Sequence, residues 1–471
     1  MLVLLLMAVT GAWAAAKTID LSNVTEATTA NNGDVLTGTL ANNVQISIAD
    51  GAEVTLDNVT INGSNSDYYY WAGITCEGNA TIILAEGSTN IVKGFHQYYP
   101  GIHIAKGKTL TIQGSGSLTA CSNGYCAGIG AGESETLACG NIVIEDGTII
   151  STGGDNAAGI GGGNSSSCGD ITITGGNITA TGGMSGAGIG SGIASACGDI
   201  SITGGTVTAT GGSNAAAIGC GDGGTCGTVT IGGINKGSIY ASPYTYLALA
   251  DNVNNGSTLA SFNGINADVT LKRTLQTGGW NTFCAPFSIA TPSGWTVKEL
   301  TSSSFVSSTG KLTLNFGDAS SIVAGKPYLV KVAASVVNPT FEGVTIANVT
   351  TTTETTYADF VPVMNPTPLT ANDKTVLFVS DGNKLTYPNA TSNINGFRAY
   401  FQLKGDAAAS ANAFAMSFDD ESTGITDIDD SQAHDVRFDT DGIYTLDGRR
   451  TEGQPTAKGI YIQNGRKVII K

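Results

Sequence analysis

Four cysteines recur at a fixed interval in the first half of the chain. Cys139, Cys168, Cys197 and Cys226 are 29 residues apart, and each is followed by glycine, an intervening residue, and isoleucine or valine. A second marker, usually Gly-Ile, runs in parallel between residues 73 and 218 at spacings of 27 to 31 residues. A fixed period of this length is typical of a solenoid, in which each unit stacks on the next.

The pattern inside one unit identifies the kind of solenoid. The segment DITITGGNITATGG, residues 170–183, contains two runs in which isoleucine or alanine alternates with threonine. Alternation with a period of two and β-branched residues indicates strands, and the Gly-Gly pairs between them supply corners. With the Gly-Ile segment, each unit holds three short strands. We therefore predict an all-β fold with a right-handed parallel β-helix over 17–245, inward isoleucine ladders, and coils about 4.8 Å apart.

Two repeat motifs carry a resemblance to a known family. AGIGGG at Ala158–Gly163 and GDITITGG at Gly169–Gly176 resemble repeats of the bacterial carbohydrate-binding β-helix family and, more loosely, pectate-lyase-like helices. The resemblance covers about half of the chain. It implies a polysaccharide or glycan partner, and in this family some members bind cellulose-type or acidic sugars and calcium.

After residue 245 the 29-residue period stops, and proline and arginine appear. Apolar runs separated by Ser, Thr, Asn and Gly predict an antiparallel β-sandwich over 246–418. This region resembles sandwich modules of type IX-secreted proteins. The acidic segment 419–435 is interpreted as a solvated linker.

The last segment, 436–471, resembles the C-terminal sorting domain of the type IX secretion system. The resemblance is carried, in this order, by Tyr444–Arg450, Lys458–Ile462 and Gly465–Val468. It implies the type IX machinery as a partner and a location outside the cell or on its outer surface.

The chain begins with an apolar run followed by small residues, which predicts a signal peptide over 1–16. No other apolar stretch is long enough to predict a membrane span. The net charge of −16 argues against nucleic acid as a partner.

Tyrosines recur at one position of three successive units. Tyr70, Tyr98 and Tyr125 each lie three residues before the glycine of a marker pair or its equivalent, and Trp71 and Tyr99 align one position later. Stacked units should bring these rings together, and aromatic faces can pack on sugar rings. We predict these five residues as a ligand-binding row. The alternative, an aromatic ladder that only stabilises the first coils, remains open.

The repeat predicts two further columns. The cysteines should form a buried column of reduced thiols, because stacked side chains point the same way and suit disulfides poorly. Asp170 and Asp199 should lie one coil apart and are candidate ligands for calcium. Their alternative role is to cap turns with their side chains.

The residues argue against catalysis in the β-helix. No arginine precedes Arg273, and few carboxylates are available for an acid–base pair. His96 and His103 lie near three lysines and are expected to be ordinary surface residues. We predict no catalytic residue and no required cofactor.

The resulting prediction is a non-catalytic, secreted or cell-surface protein that binds polysaccharide along its β-helix. Two alternatives stay open. The chain could be an adhesin or structural spacer at the cell surface, or a polysaccharide lyase or hydrolase.

Overall fold

The structure is a computed structural model that describes residues 16–418 and three strands near the C-terminus. The predicted linker and residues 1–15 of the predicted signal peptide lie outside the described residues, as do residues 446–450, 458 and 465 of the C-terminal motifs. In the described part of the chain, no helix is long and apolar enough to cross a membrane.

The first half forms three columns of parallel strands, named here A, B and C in the order in which each coil visits them. Column A contains Thr18–Asp20, Val35–Thr39, the first part of Ala52–Asn62, Ala80–Leu84, Thr109–Gln113, Asn141–Ile144, Ile171–Ile173, Ile200–Ile202 and Val229–Ile231. Column B contains the second part of Ala52–Asn62, Thr89–Lys93, Ser117–Cys121, Thr148–Thr152, Asn177–Thr181 and Thr206–Thr210. Column C contains Thr28–Ala30, Ile46–Ile48, Ile74–Cys76, Ile102–Ile104, Ile129–Gly130, Ile160–Gly161, Ile189–Gly190 and Ile218–Gly219.

The strand register repeats from coil to coil. In column C, Ile129 pairs with Ile160, Ile160 with Ile189, and Ile189 with Ile218. All four side chains are fully buried. Burying such a side chain stabilises the fold by about 1.5–3 kcal/mol, so the sequence repeat becomes a continuous apolar column. The predicted all-β parallel β-helix with inward isoleucine ladders is confirmed.

The C-terminal end of the β-helix is closed by antiparallel strands. Ile234–Asn235 pairs with the last strand of column A, and Tyr244–Ala250 pairs with Thr206–Thr210, the last strand of column B. Tyr244–Ala250 then pairs in parallel with Asn266–Lys272. The final strand of column B is therefore covered and is not an open edge.

Tyr244–Ala250 contributes to two different cores because its side chains alternate between its two faces. Tyr246 is fully buried within the apolar interior of the β-helix. Leu247 and Leu249 are buried in the interior of the following region, together with Val269 on the neighbouring strand. One strand thus connects the two parts of the chain.

Two larger sheets follow this connection. The first contains Asn281–Phe283, Tyr328–Val332, Trp295–Val306, Lys311–Asp318 and Ala413–Phe418, and the second contains Ala358–Val363, Arg398–Leu403, Val376–Ser380 and Lys384–Thr386. Phe316 of the first sheet and Phe360 and Phe401 of the second lie in one buried cluster. The pairings are antiparallel except between Lys311–Asp318 and Ala413–Phe418. The predicted domain boundaries and the naming of 246–418 as a sandwich stay predictions.

The remaining elements are short. Thr340–Thr345 pairs with Asn266–Lys272, and smaller strand pairs join Thr274–Leu275 to Val336–Val337, Ile289–Ala290 to Ser321–Ile322, Thr367–Leu369 to Ser392–Ile394, and Ala196–Cys197 to Thr225–Cys226. The helices are Gly256–Ser261 and Gly405–Ser410, with 3₁₀ turns at Leu21–Asn23, Glu135–Leu137 and Asp381–Asn383. Near the C-terminus, Ile443–Thr445, Gly459–Gln463 and Arg466–Ile470 form an antiparallel sheet.

The cysteines stack over four coils, with Cys226 in register with Cys197, but the free thiols extend over three coils only. Cys139, Cys168 and Cys197 are free and buried, and each thiol donates to a backbone carbonyl at 3.6 Å. Hydrogen bonds from the neighbouring thiols, together with burial, raise the pKa of Cys168 well above its usual value. The prediction was wrong for Cys226, which forms a disulfide with Cys220. Their Cα atoms are 5.4 Å apart within one coil, so this bridge does not use the column direction.

We expect the column to resist alkylation in the folded protein. Alkylation requires thiolate that the reagent can reach; all three thiols are buried, and the pKa of Cys168 is raised well above its usual value. Iodoacetamide at pH 8 should therefore leave Cys139, Cys168 and Cys197 unlabelled, whereas half-exposed Cys121 should react first. Mass spectrometry of peptides checks this.

The matched control is the same labelling in denaturant without reductant. It should modify the seven free cysteines and spare Cys220 and Cys226. Rapid labelling of Cys168 in the native protein would contradict the buried column.

Candidate functional site

The predicted aromatic row lies on loops that connect column B to column C. In consecutive coils, backbone hydrogen bonds hold these loops together. The Phe95 N–H donates to the Trp71 carbonyl at 3.2 Å, and the Tyr125 N–H donates to the Gln97 carbonyl at 2.9 Å. The loops are therefore fixed to the coil stack, which fixes the side chains that they carry.

Four rings form a continuous row across these three loops. Tyr70 stacks on His96 with centroids 4.3 Å apart, and His96 meets Tyr98 at 4.7 Å with a steep angle between the rings. Tyr98 in turn stacks on Tyr125 at 6.5 Å with planes 27° apart. Tyr70 is 56% exposed and Tyr98 is 38% exposed, so the row presents ring surface to solvent. We call these four residues the aromatic row.

His96 differs from its expected place on the surface. Only 2% of it is exposed, because the rings of Tyr70, Tyr98 and Tyr99 surround it. Its Nδ1 accepts the Tyr98 N–H at 3.2 Å, and its Nε2 lies 4.0 Å from a carboxylate oxygen of Asp67. The sequence pattern missed this residue because it lies two positions before Tyr98, outside the aligned tyrosines. In the structure, His96 lies between Tyr70 and Tyr98 and links them.

His103 is also not an ordinary surface residue. A ring nitrogen lies 3.1 Å from the carbonyl oxygen of Gly130 in the next coil. Burial lowers the pKa of His103, although this hydrogen bond partly opposes the shift. The histidine therefore contributes to coil stacking.

Trp71 and Tyr99 lie deeper than the aromatic row. Trp71 packs against Tyr69 and Phe95 at centroid distances of 5.2 and 5.9 Å, and it borders the apolar interior. Tyr99 meets His96 edge-on at 6.2 Å, and burial raises its pKa. Among the described rings, Trp71 and Tyr99 do not contact each other. Tyr99 thus supports the row through His96, whereas Trp71 packs on Tyr69 and Phe95, and the predicted role of both residues in ligand contact stays a prediction.

The aromatic row is three coils long. In the next three coils, the positions that align with Tyr125 hold Asn156, Ser185 and Asn214, as judged from the paired isoleucines of column C. The aromatic row is thus confined to the N-terminal part of the β-helix.

The two aspartates of the predicted metal site form a different structure. Asn141 Oδ1 accepts the Asp170 N–H, Asp170 Oδ1 accepts the Asp199 N–H, and Asp199 Oδ1 accepts the Thr228 N–H, at 2.7–2.9 Å. Each side chain therefore caps the backbone of the following coil. Asp50 and Asn79 repeat the arrangement in earlier coils. We call this column the Asx ladder.

Each Asn or Asp side chain of the Asx ladder is called a rung here. A glycine that precedes a rung in the sequence leaves room for the rung of the coil before it. A Cβ atom on Gly198 would overlap Oδ1 of Asp170, and one on Gly227 would overlap Oδ1 of Asp199. The glycine of the Cys-Gly-Asp pattern therefore has a steric cause: because it has no side chain, the Asp side chain of the preceding coil fits against it.

The ladder bears on the calcium prediction. One oxygen each of Asp170 and Asp199 is already used by a backbone N–H. Within the described residues, no group of three or more His, Cys, Asp or Glu side chains is placed to hold a metal ion. The predicted calcium site stays a prediction, and the geometry favours the capping role.

The comparisons with known proteins agree with the architecture. A family model described as a beta helix repeat matches residues 110–133, 142–164, 171–193 and 200–222. Each match begins in column A and continues past column C. Neither the search of curated proteins nor the search of solved structures found a match. Fold and repeat together define the chain as a parallel β-helix protein.

We expect Gly198→Ala to destabilise the protein by about 2 kcal/mol, because the added methyl group displaces the Asp170 rung and overpacks the coil. Urea unfolding followed by circular dichroism measures the change. In an Asp170→Ala background the same substitution should cost about 1 kcal/mol less, since the clashing oxygen is gone. If Gly198→Ala lowers the free energy of unfolding equally in both backgrounds, the Asp170 side chain is not the reason that glycine is required at position 198.

Proposed function

We propose that this protein is a secreted or cell-surface carbohydrate-binding protein that holds a polysaccharide on the aromatic row without catalysis. The observation that carries the proposal is the run of ring contacts across three consecutive coils, with Tyr70 and Tyr98 open to solvent. The resemblance of 436–471 to a type IX sorting domain supports export by that machinery. The antiparallel sheet formed there by Ile443–Thr445, Gly459–Gln463 and Arg466–Ile470 is compatible with a small β-module.

The chemistry of the row suits a sugar polymer. A tyrosine ring offers a flat apolar face for the C–H face of a sugar and a hydroxyl group for its polar edge. The rings open to a ligand are the tyrosines, because His96 is buried between Tyr70 and Tyr98, and Tyr125 follows Tyr98 at 6.5 Å. A polymer lying along the row can therefore contact several rings at once.

The rigidity of the loops adds to this fit. Hydrogen bonds between coils fix the loop backbone, and His96 is buried between the tyrosines. Rings that are already ordered lose less conformational entropy when a ligand binds. A preformed row can therefore bind a flexible polysaccharide through modest individual contacts.

The proposal can be tested by retention on insoluble glucans and pectins. Tyr98→Ala should weaken binding about tenfold, which corresponds to about 1.4 kcal/mol, because it removes the ring that joins His96 to Tyr125. Tyr240→Ala is the matched control, since Tyr240 is 62% exposed but forms no ring contact with the row. The control should bind like the unaltered protein.

The outcomes separate the alternatives. If the protein is not retained on any polysaccharide and binds nothing on a glycan array, the binding proposal is excluded. The β-helix is then better explained as an adhesin shaft or spacer. If incubation with pectin yields unsaturated uronate products, with or without calcium, the non-catalytic part of the proposal is wrong and a lyase is favoured.

A further inference from the structure

The second half of the chain contains a cleft that is separate from the aromatic row. Its volume is about 990 Å³, at the upper end of the range for small-ligand sites. Its walls come from the segment that follows Asn266–Lys272, from Val376–Ser380, and from the stretch around Ser392–Ile394. Residues far apart in sequence therefore meet in one concave surface.

Arg273 lies at the floor of this cleft and is 6% exposed. Its guanidinium donates to the carbonyls of Phe397 and Thr282, the latter at 3.2 Å, and its Nε has no hydrogen-bond partner. Within the described chain Arg273 forms no ion pair. A buried charge without a counter-ion is costly, so an anion in the cleft would be favoured.

The nearby carboxylate of Asp251 offsets this charge only in part, because it is paired with Arg398. Asp251 is the one carboxylate among the described side chains that line the cleft, and it accepts from Arg398 at 2.6 Å and from Asn395 at 3.4 Å. Lys272 also lines the cleft, is only half-buried, and forms no ion pair among the described residues. Among the described side chains that line the cleft, counting Arg398 against Asp251 leaves the two positive charges of Lys272 and Arg273.

The excess charge stands out because the whole chain carries a net charge of −16. The positive lining of a cleft concentrates anions there, although the acidic surface around it repels them. Burial and the neighbouring Arg398 also lower the pKa of Arg273, so its charged form lacks the stabilisation that an anion would supply.

The other groups that line the cleft indicate which kind of molecule the anionic group belongs to. Phe378 and Trp280 are partly exposed aromatic rings, with Trp280 stacked on Phe418 at 4.8 Å, and Gln276 and Asn393 are exposed amides. Amides donate and accept hydrogen bonds and so match sugar hydroxyl groups. Ring faces match the C–H surface of a sugar.

We propose that this cleft binds an acidic saccharide, with its anionic group close to Lys272 above the buried charge of Arg273. The site is independent of the aromatic row. The anion can be the carboxylate of a uronic acid or a sulfate ester, because a lysine ammonium binds either as a point charge.

Isothermal titration of the full chain with three probes tests this proposal. The probes are tri-galacturonate, its methyl ester, and a sulfated trisaccharide. We expect binding of at least one anionic probe, and binding of the neutral ester about tenfold weaker than that of tri-galacturonate if the carboxylate is the recognised group. The two anionic arms distinguish carboxylate from sulfate.

Lys272→Gln should weaken binding of the anionic probe about tenfold, since it removes the accessible charge. Lys331→Gln, an exposed lysine outside the cleft, makes the same charge change and should have no effect. Lys272 is at the end of its strand, so folding should be unaffected, and circular dichroism verifies this.

The result is distinguishable from failure of the aromatic row. Tyr98→Ala should leave binding of the anionic trisaccharide unchanged while it weakens retention on polysaccharide. The cleft proposal is overturned if the unaltered protein binds neither anionic probe, or if Lys272→Gln binds as tightly as Lys331→Gln.

Discussion

The whole β-helix depends on one constraint, the constant register between strands of successive coils. Because Ile160 pairs with Ile129 on one side and Ile189 on the other, a residue type repeated in the sequence becomes a column in space. A shift by one residue would turn every isoleucine outward and expose the apolar interior. The buried columns thus enforce the register, and the register positions the aromatic row, the thiols and the Asx ladder.

The architecture could be read from the sequence because its causes are local and repeated. Alternating β-branched residues specify strands, paired glycines specify corners, and equal spacing specifies stacking. The tyrosines of the aromatic row could be found in the same way, since they occupy equivalent positions in three coils. Because the units repeat, contacts between residues far apart in sequence could be predicted from their spacing alone.

Features that break the repeat could not be found by counting. His96 completes the aromatic row from a position at which the flanking coils hold Tyr68 and Asn123, so no residue type repeats there. Cys220 pairs with Cys226 across a turn. The cleft at Arg273 depends on segments more than 100 residues apart, whose meeting no local pattern encodes. The Asx ladder is intermediate, because its spacing was visible but the hydrogen bonds that give it a role were not.

The strand Tyr244–Ala250 has a consequence for how the molecule comes apart. Tyr246 lies in the interior of the β-helix, and Leu247 lies in the interior of the next region. Neither interior can open fully without exposing one face of this shared strand to solvent. The two halves are therefore expected to melt in a single cooperative transition, so that loss of free energy in one half raises the unfolded population of the other.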